Sequence, residues 1–243
     1  YPEKFKKLQY QQDAVNSAFR IINNYGGVFL SDVVGLGKTY MGTMLCKRLI
    51  ENGHKKVLII APPSLVDKSN KGGWHNAFDD FHFKSRQFKC YSLGLLDDIT
   101  KNEKTENYDI VLIDESHRFR SEKTENYPKL TEICRGKKVI LISATPYNNR
   151  PSDLLSQIKL FQSEVDSNIP NCKNLDKFFK QLEKQLKSLD RQGNAEEYIK
   201  INKKNAKEIR QKLLKYLMVR RTRTQILNRY KDDLDKENIT FPE

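Results

Sequence analysis

Apolar residues recur at helical spacing over Leu8–Asn24, where Tyr10, Ala14, Val15, Ala18, Phe19 and Ile22 share one face, so the pattern predicts an amphipathic helix. Asn23, Asn24, Gly26 and Gly27 end it. The period then changes: Val28-Phe29-Leu30 is a short apolar strand, followed by a glycine-containing turn. A second helix is expected from Thr39 to Glu51, with Met41, Met44, Leu45 and Leu49 on one side and Asn52-Gly53 as its stop. Val57–Ala61, Ile110–Ile113 and Val139–Ile142 are unbroken apolar runs, Phe88–Leu93 is a weaker one, and the strand of the second run is expected over Asp109–Ile113. β-Branched runs alternating with helices predict an α/β fold, a parallel sheet with helices on both faces. Each run ends in polar or small residues: Ser31-Asp32, Pro62-Pro63-Ser64, Asp114-Glu115 and Ser143-Ala144-Thr145. Ligands of such sheets bind beyond the carboxyl ends of the strands.

Past Pro151 the pattern is helical and basic. Leu175, Phe178, Phe179, Leu182, Leu186 and Leu189 take one face, and Lys177, Lys180, Lys184 and Lys187 the other. Gln192-Gly193-Asn194 is a break, and a further helix is expected from Ala195 to Met218, carrying Tyr198, Ala206, Ile209, Leu213 and Leu217. The pair is expected to form a basic helical hairpin attached to the α/β unit.

Between that first strand and helix lies Asp32-Val33-Val34-Gly35-Leu36-Gly37-Lys38-Thr39. Glycines let backbone N–H groups close around phosphate oxygens, and the following helix N-terminus adds a favourable dipole. The Lys38 ammonium reaches the β- and γ-phosphates, and the Thr39 hydroxyl is a Mg²⁺ ligand. Nucleotide-binding candidates are therefore Gly35, Leu36, Gly37, Lys38, Thr39 and Tyr40. The common G-x-x-x-x-G-K-[ST] loop has Gly where this chain has Asp32. At the end of another buried strand, Asp114 is suited to hold Mg²⁺, and Glu115 to orient an attacking water. Lys38, Asp114 and Glu115 are the catalytic candidates, and ATP with Mg²⁺ the implied ligands.

Composition narrows the classes. The chain has 243 residues, 37% hydrophobic and 31% charged, with a mean hydropathy of −0.73. With 12 Phe and 11 Tyr there is apolar material for a core, which argues against global disorder. No apolar run approaches the roughly 18 residues that cross a bilayer. Cys46, Cys90, Cys134 and Cys172 lie far apart and the four His complete no zinc pattern, so reduced thiols of an intracellular protein are expected. Net charge is +13. Lys173–Arg223 alone holds 16 Lys or Arg against 6 Asp or Glu. Such a stripe either tracks a phosphate backbone or is a solvated helical face.

Asp114-Glu115-Ser116-His117, Ser143-Ala144-Thr145 and Gly35-Leu36-Gly37-Lys38-Thr39 together resemble the motifs of superfamily 2 helicase-type ATPases, in particular the Swi2/Snf2-related translocases on double-stranded DNA. Val33 stands where that family usually has Glu. The resemblance implies a RecA-like lobe over residues 1–165, a helical protrusion and return over 166–223, and a linker toward a second RecA-like lobe over 224–243. It implies that Gln11 contacts the adenine and that His117 couples hydrolysis to Ser143 or Thr145, although a structural His is the alternative. Val57–Leu65 resembles motif Ia, whose following Trp is Trp74 here, with Asp67–Gly73 as an insertion. Ser143–Asn149 resembles motif III, and Val219–Arg223 the Arg-Arg stretch closing the lobe. Nucleic-acid candidates are Pro63, Ser64, Arg118, Arg120, Asn149, Arg220 and Arg221, with Arg118 and Arg120 equally suited to solvent. Trp74, Phe78, Phe81 and Phe83 are expected in the core. A start at Tyr1 instead of Met, and no arginine-finger motif after Thr145, imply one lobe of a longer motor. The implied function is an ATP-dependent duplex-DNA translocase. Another superfamily 2 helicase or restriction motor subunit, and a non-catalytic ATP-binding module, remain as alternatives. The expected location is the cytoplasm of a bacterium or the nucleus of a eukaryote, away from membranes.

Overall fold

A computed structural model describes residues 6, 8–31, 37–144, 150–187, 195–237 and 239. The apolar runs form six strands: β1 (Gly27–Leu30), β2 (Val57–Ala61), β3 (Phe88–Ser92), β4 (Ile110–Asp114), β5 (Lys138–Ile142) and β6 (Met218–Val219). They make one all-parallel sheet in the order β3-β2-β4-β5-β1-β6. The helices are α1 (Gln9–Tyr25), α2 (Lys38–Glu51), α3 (Pro63–Val66), α4 (Trp74–Asp80), α5 (Leu96–Asn102), α6 (Asn126–Cys134), α7 (Pro151–Ile158), α8 (Leu175–Lys187), α9 (Ala195–Ile209), α10 (Lys215–Leu217), α11 (Arg223–Arg229) and α12 (Lys231–Lys236).

Successive side chains of a strand point to opposite faces, and here each face has its own core. Phe29, Leu58, Ile60, Val111, Ile113, Val139 and Leu141 pack against α5–α8 and the end of α9. Their neighbours Val28, Leu30, Val57, Ile59, Ile110, Leu112, Ile140 and Ile142 pack against α1, α2 and α4. A strand buried on both sides has no place for a polar residue, hence the unbroken runs. β3 was faint because it is the sheet's edge, where Lys89 is exposed and Cys90 to Ser92 only half-buried.

Three differences from the expected elements have physical reasons. Asp109 is not in β4: its carboxylate accepts the backbone N–H groups of Lys55 (2.6 Å) and Lys56 (3.2 Å), holding the entry to β2. The helix expected to reach Met218 runs through a π-turn at Arg210–Leu214 and stops at Leu217. Met218-Val219 instead pairs with Phe29-Leu30 as β6. In the stretch expected as a linker, α11 and α12 pack Ile226, Tyr230 and Leu234 against Leu8 and Tyr10.

α8 is amphipathic as its spacing requires, with Leu175, Phe179 and Leu182 buried and Lys177, Lys180 and Lys184 exposed. Buried Asn205 of α9 donates its side-chain N–H to the carbonyl of Leu182 at 3.1 Å. The expected break at Gln192-Gly193-Asn194 lies outside the described residues. All four cysteines are free, and burial pushes the Cys90 and Cys134 thiols up to about 12. No described helix is long and apolar enough to cross a membrane.

Candidate active site

Strand register determines what gathers at the carboxyl edge. Leu30 stands level with Ile142 and Val219, and Ile142 with Asp114. The residues one step further, Ser31, Ser143, Glu115 and Arg220, therefore emerge from neighbouring strands along one edge. Pro63 and Ser64, at the start of α3, are exposed beyond β2.

The loop expected to seat phosphate leads from β1 into α2. Its residues 32–36, including Gly35 and Leu36, lie outside the described residues, as do Thr145 and Asn149. Gly37 precedes α2 with φ +81°, a left-handed backbone that glycine adopts without strain. A Cβ there would lie 2.7 Å from Nε2 of Gln11, so Gln11 of α1 rests against the loop. No side chain caps the 14-residue α2. The N-terminus of a helix of this length carries a positive dipole end that favours an anion. Tyr40 lies 6.4 Å from Phe81, ring to ring.

Asp114 ends β4 and is only 7% exposed. Its Oδ2 accepts the Trp74 indole N–H at 3.0 Å, and its Oδ1 the Glu115 backbone N–H at 2.8 Å. Burial pushes this carboxyl above the usual carboxylate range, opposed by those two hydrogen bonds and by the charge of Lys38. Trp74 is thus more than the core residue its sequence implies. It packs with Phe78, Phe81 and Phe83 and also orients the acidic strand end. Its ring edge comes close to Gly42, where a Cβ would be 3.1 Å from the indole.

Glu115 takes a left-handed backbone, φ 53° and ψ 42°, which turns the chain into a 3₁₀ turn over Ser116–Phe119. Nδ1 of His117 lies 3.1 Å from Oε2 of Glu115 and 3.3 Å from Oγ of Ser143. The ring therefore bridges the ends of β4 and β5, bringing together three of the residues singled out in the sequence. Arg118, Arg120 and Arg220 are exposed. Arg221, predicted as a nucleic-acid contact, turns inward instead: its guanidinium donates to the Tyr10 carbonyl and lies 5.9 Å from the Tyr230 ring centroid. In the stretch expected as an insertion, Asp67 accepts from Ser69 and Asn70 from the Gly72 N–H, while the Asn70 amide donates to the Ser64 carbonyl outside it.

Among the described residues no cluster of three His, Cys, Asp or Glu exists to hold a metal alone. One carboxylate, Asp114, and one hydroxyl, Thr39, are an oxygen donor set that fits Mg²⁺, which keeps waters and takes its remaining ligands from phosphates.

Residues 4–148 match the family model described as Type III restriction enzyme, res subunit, and residues 90–241 match the SNF2-related domain. The chain belongs to the SNF2-related helicase-type ATPases. This SNF2-related chain is 28% identical over 177 residues to an uncharacterized ATP-dependent helicase, YqhH, of Bacillus subtilis, covering 67% of this chain and 30% of that protein. It is 26% identical to Switch 2 of Arabidopsis thaliana, covering 90% and 28% respectively. To the SWI/SNF-related matrix-associated actin-dependent regulator of chromatin subfamily A-like protein 1 of Xenopus laevis it is 27% identical, covering 62% and 16%. Less than a third of the length of each relative is matched. The Sulfolobus solfataricus SWI2/SNF2 ATPase core, solved in complex with dsDNA, shares the fold with a TM-score of 0.63 at 18% identity, over 91% of this chain and 46% of that one. The six-stranded parallel sheet with its helices is the RecA-like fold of the N-terminal lobe in this family.

Proposed function

We propose that this SNF2-related lobe hydrolyses ATP together with a second RecA-like lobe of the full-length protein and drives movement along duplex DNA. The observation that carries the reading is the His117 bridge between Glu115 and Ser143 at the edge where Ser31 and Asp114 also lie. Lys38 neutralises phosphate charge, and Gln11 and Tyr40 flank the nucleotide. Thr39 and Asp114 would hold Mg²⁺, which when bound would neutralise negative charge on the phosphates. Glu115 orients the attacking water, and His117 ties that carboxylate to the strand end leading into Thr145. Gly35 and Leu36 complete the loop around the phosphates.

Support for DNA comes from the exposed Pro63, Ser64, Arg118, Arg120 and Arg220 at the same edge and from the lysine face of α8. Asn149 belongs with them by its place in the sequence. Contacts of this kind read phosphates and not bases. A second reading, a restriction-type motor subunit, is favoured by the match over residues 4–148. The SNF2-related match includes α8 and α9, which the other leaves out.

The test is steady-state ATPase activity of the full-length protein with duplex DNA, single-stranded DNA and RNA as competing activators. Duplex DNA should stimulate most, and Lys38→Ala should abolish turnover. Stimulation by RNA alone would overturn the duplex assignment, and full activity of Lys38→Ala the site itself. The 243-residue chain by itself should turn over slowly, since an arginine finger in related phosphate-loop enzymes contributes about 10³–10⁵ in rate.

A further inference from the structure

The turn that carries Glu115 is held in a backbone conformation that a non-glycine residue keeps only when its surroundings impose it. One restraint comes from Asp114, whose Oδ1 accepts the Glu115 N–H, but Asp114 faces the cation site. The other comes from behind. Ser116 Oγ donates to Oε1 of Gln157 at 3.0 Å, and both residues are 1% exposed. Gln157 is itself oriented: its Nε2 donates to the Asp153 carbonyl one helical turn earlier in α7, so the oxygen must face Ser116. Below the turn, Phe119 is buried in the core that also receives Leu154 and Ile158 of α7 and Leu175, Phe178 and Phe179 of α8.

We infer that Gln157 is a positioning residue for ATP hydrolysis, holding the Glu115 turn through Ser116 and linking it to the helix on which α8 packs. The inference rests on Glu115 being the water-orienting carboxylate. A buried hydrogen bond has no water to replace it, so losing either partner removes the restraint and frees the turn to move. Misplacement of a reacting group by about 1 Å costs on the order of 100-fold in rate. Nucleotide binding is assigned to Lys38 and the start of α2, whereas Gln157 stands on α7. The effect therefore falls on kcat and spares KM.

The test uses the full-length protein carrying Ser116→Ala, Gln157→Leu, both together, Gln157→Glu, and Glu115→Gln as reference. Each of the first two should lower kcat by roughly 10- to 100-fold with KM for ATP within about twofold. The double variant should be no slower than the slower single one, because one bond is lost in either case. Gln157→Glu, protonated because it is buried, keeps the shape, an accepting oxygen for Ser116 and a donor for the Asp153 carbonyl, and should restore kcat to within about threefold of the parent. Thermal midpoints are recorded for all five. Lower midpoints with unchanged kcat in Ser116→Ala and Gln157→Leu would overturn the inference, as would multiplicative losses in the double variant. Should Gln157→Leu not fold, Ser116→Ala and Gln157→Glu decide the matter by the same criteria. Full turnover by Glu115→Gln would remove the hydrolytic role of Glu115 and this inference with it. Low turnover there beside normal turnover in both single variants would remove this inference alone.

Discussion

Trp74 shows how one side chain serves both packing and chemistry. It is fully buried among Phe78, Gly42 and the sheet, yet its indole N–H fixes one oxygen of Asp114. Trp74→Phe keeps most of the aromatic volume and removes the donor. Partners of a metal-binding carboxylate that are removed typically cost 10- to 100-fold in metal affinity. Half-maximal ATPase activity should therefore require about 10-fold more Mg²⁺ or beyond, with a stability loss of about 1–3 kcal/mol from the unpaired buried oxygen. An unchanged Mg²⁺ titration would show that Asp114 is oriented by the Glu115 N–H alone. Neither Trp74–Asp114 nor Ser116–Gln157 was legible in the sequence. Their partners are 40 and 41 residues apart, and no local pattern reports which side chains a parallel sheet brings into contact. His117 and Ser143 were paired in advance only because the family's motifs name them.

At the scale of elements, legibility followed burial. β1, β2, β4 and β5 are flanked on both faces and read as continuous apolar runs, whereas the edge strand β3 was faint and the two-residue β6 was hidden in a helical pattern. One link at that edge is electrostatic. Burial disfavours the charged form of Glu103, but Lys89, Tyr91 and Tyr108 all donate to it, at 2.5 Å for Tyr91 and 2.7 Å for Tyr108, and the carboxyl is held down at about 2. The folded value lies below the unfolded one of about 4.3. The stabilisation is thus present above that unfolded value and is lost as pH falls through the folded value. Urea unfolding of Glu103→Gln should show a loss of about 1–3 kcal/mol at pH 7. The variant should also lack the part of the acid sensitivity that the parent shows between about pH 4.3 and 2. Parallel pH profiles for parent and variant would contradict this.

For the whole molecule, the excess positive charge is concentrated on the helices beyond α7. Lys177, Lys180 and Lys184 stand exposed on α8, and Lys180 pairs with Asp176 at 2.8 Å. Replacing all three by Glu in the full-length protein should weaken duplex binding and reduce the slope of log affinity against log salt by as much as about 3 units. Equal affinity and slope would make α8 a scaffold with solvated lysines. A different consequence follows from β6. It supplies two residues, yet it closes the side of β1, whose four residues are all buried, and it comes from the far end of the chain. During synthesis β1 is made before α8 and α9, and its partner on that side does not exist until they are complete. Until then an apolar strand presents unpaired N–H and C=O groups to any chain nearby. The helical excursion between β5 and β6 therefore sets how long a nascent chain stays vulnerable to wrong pairing, and insertions there would lengthen that interval without touching the finished fold.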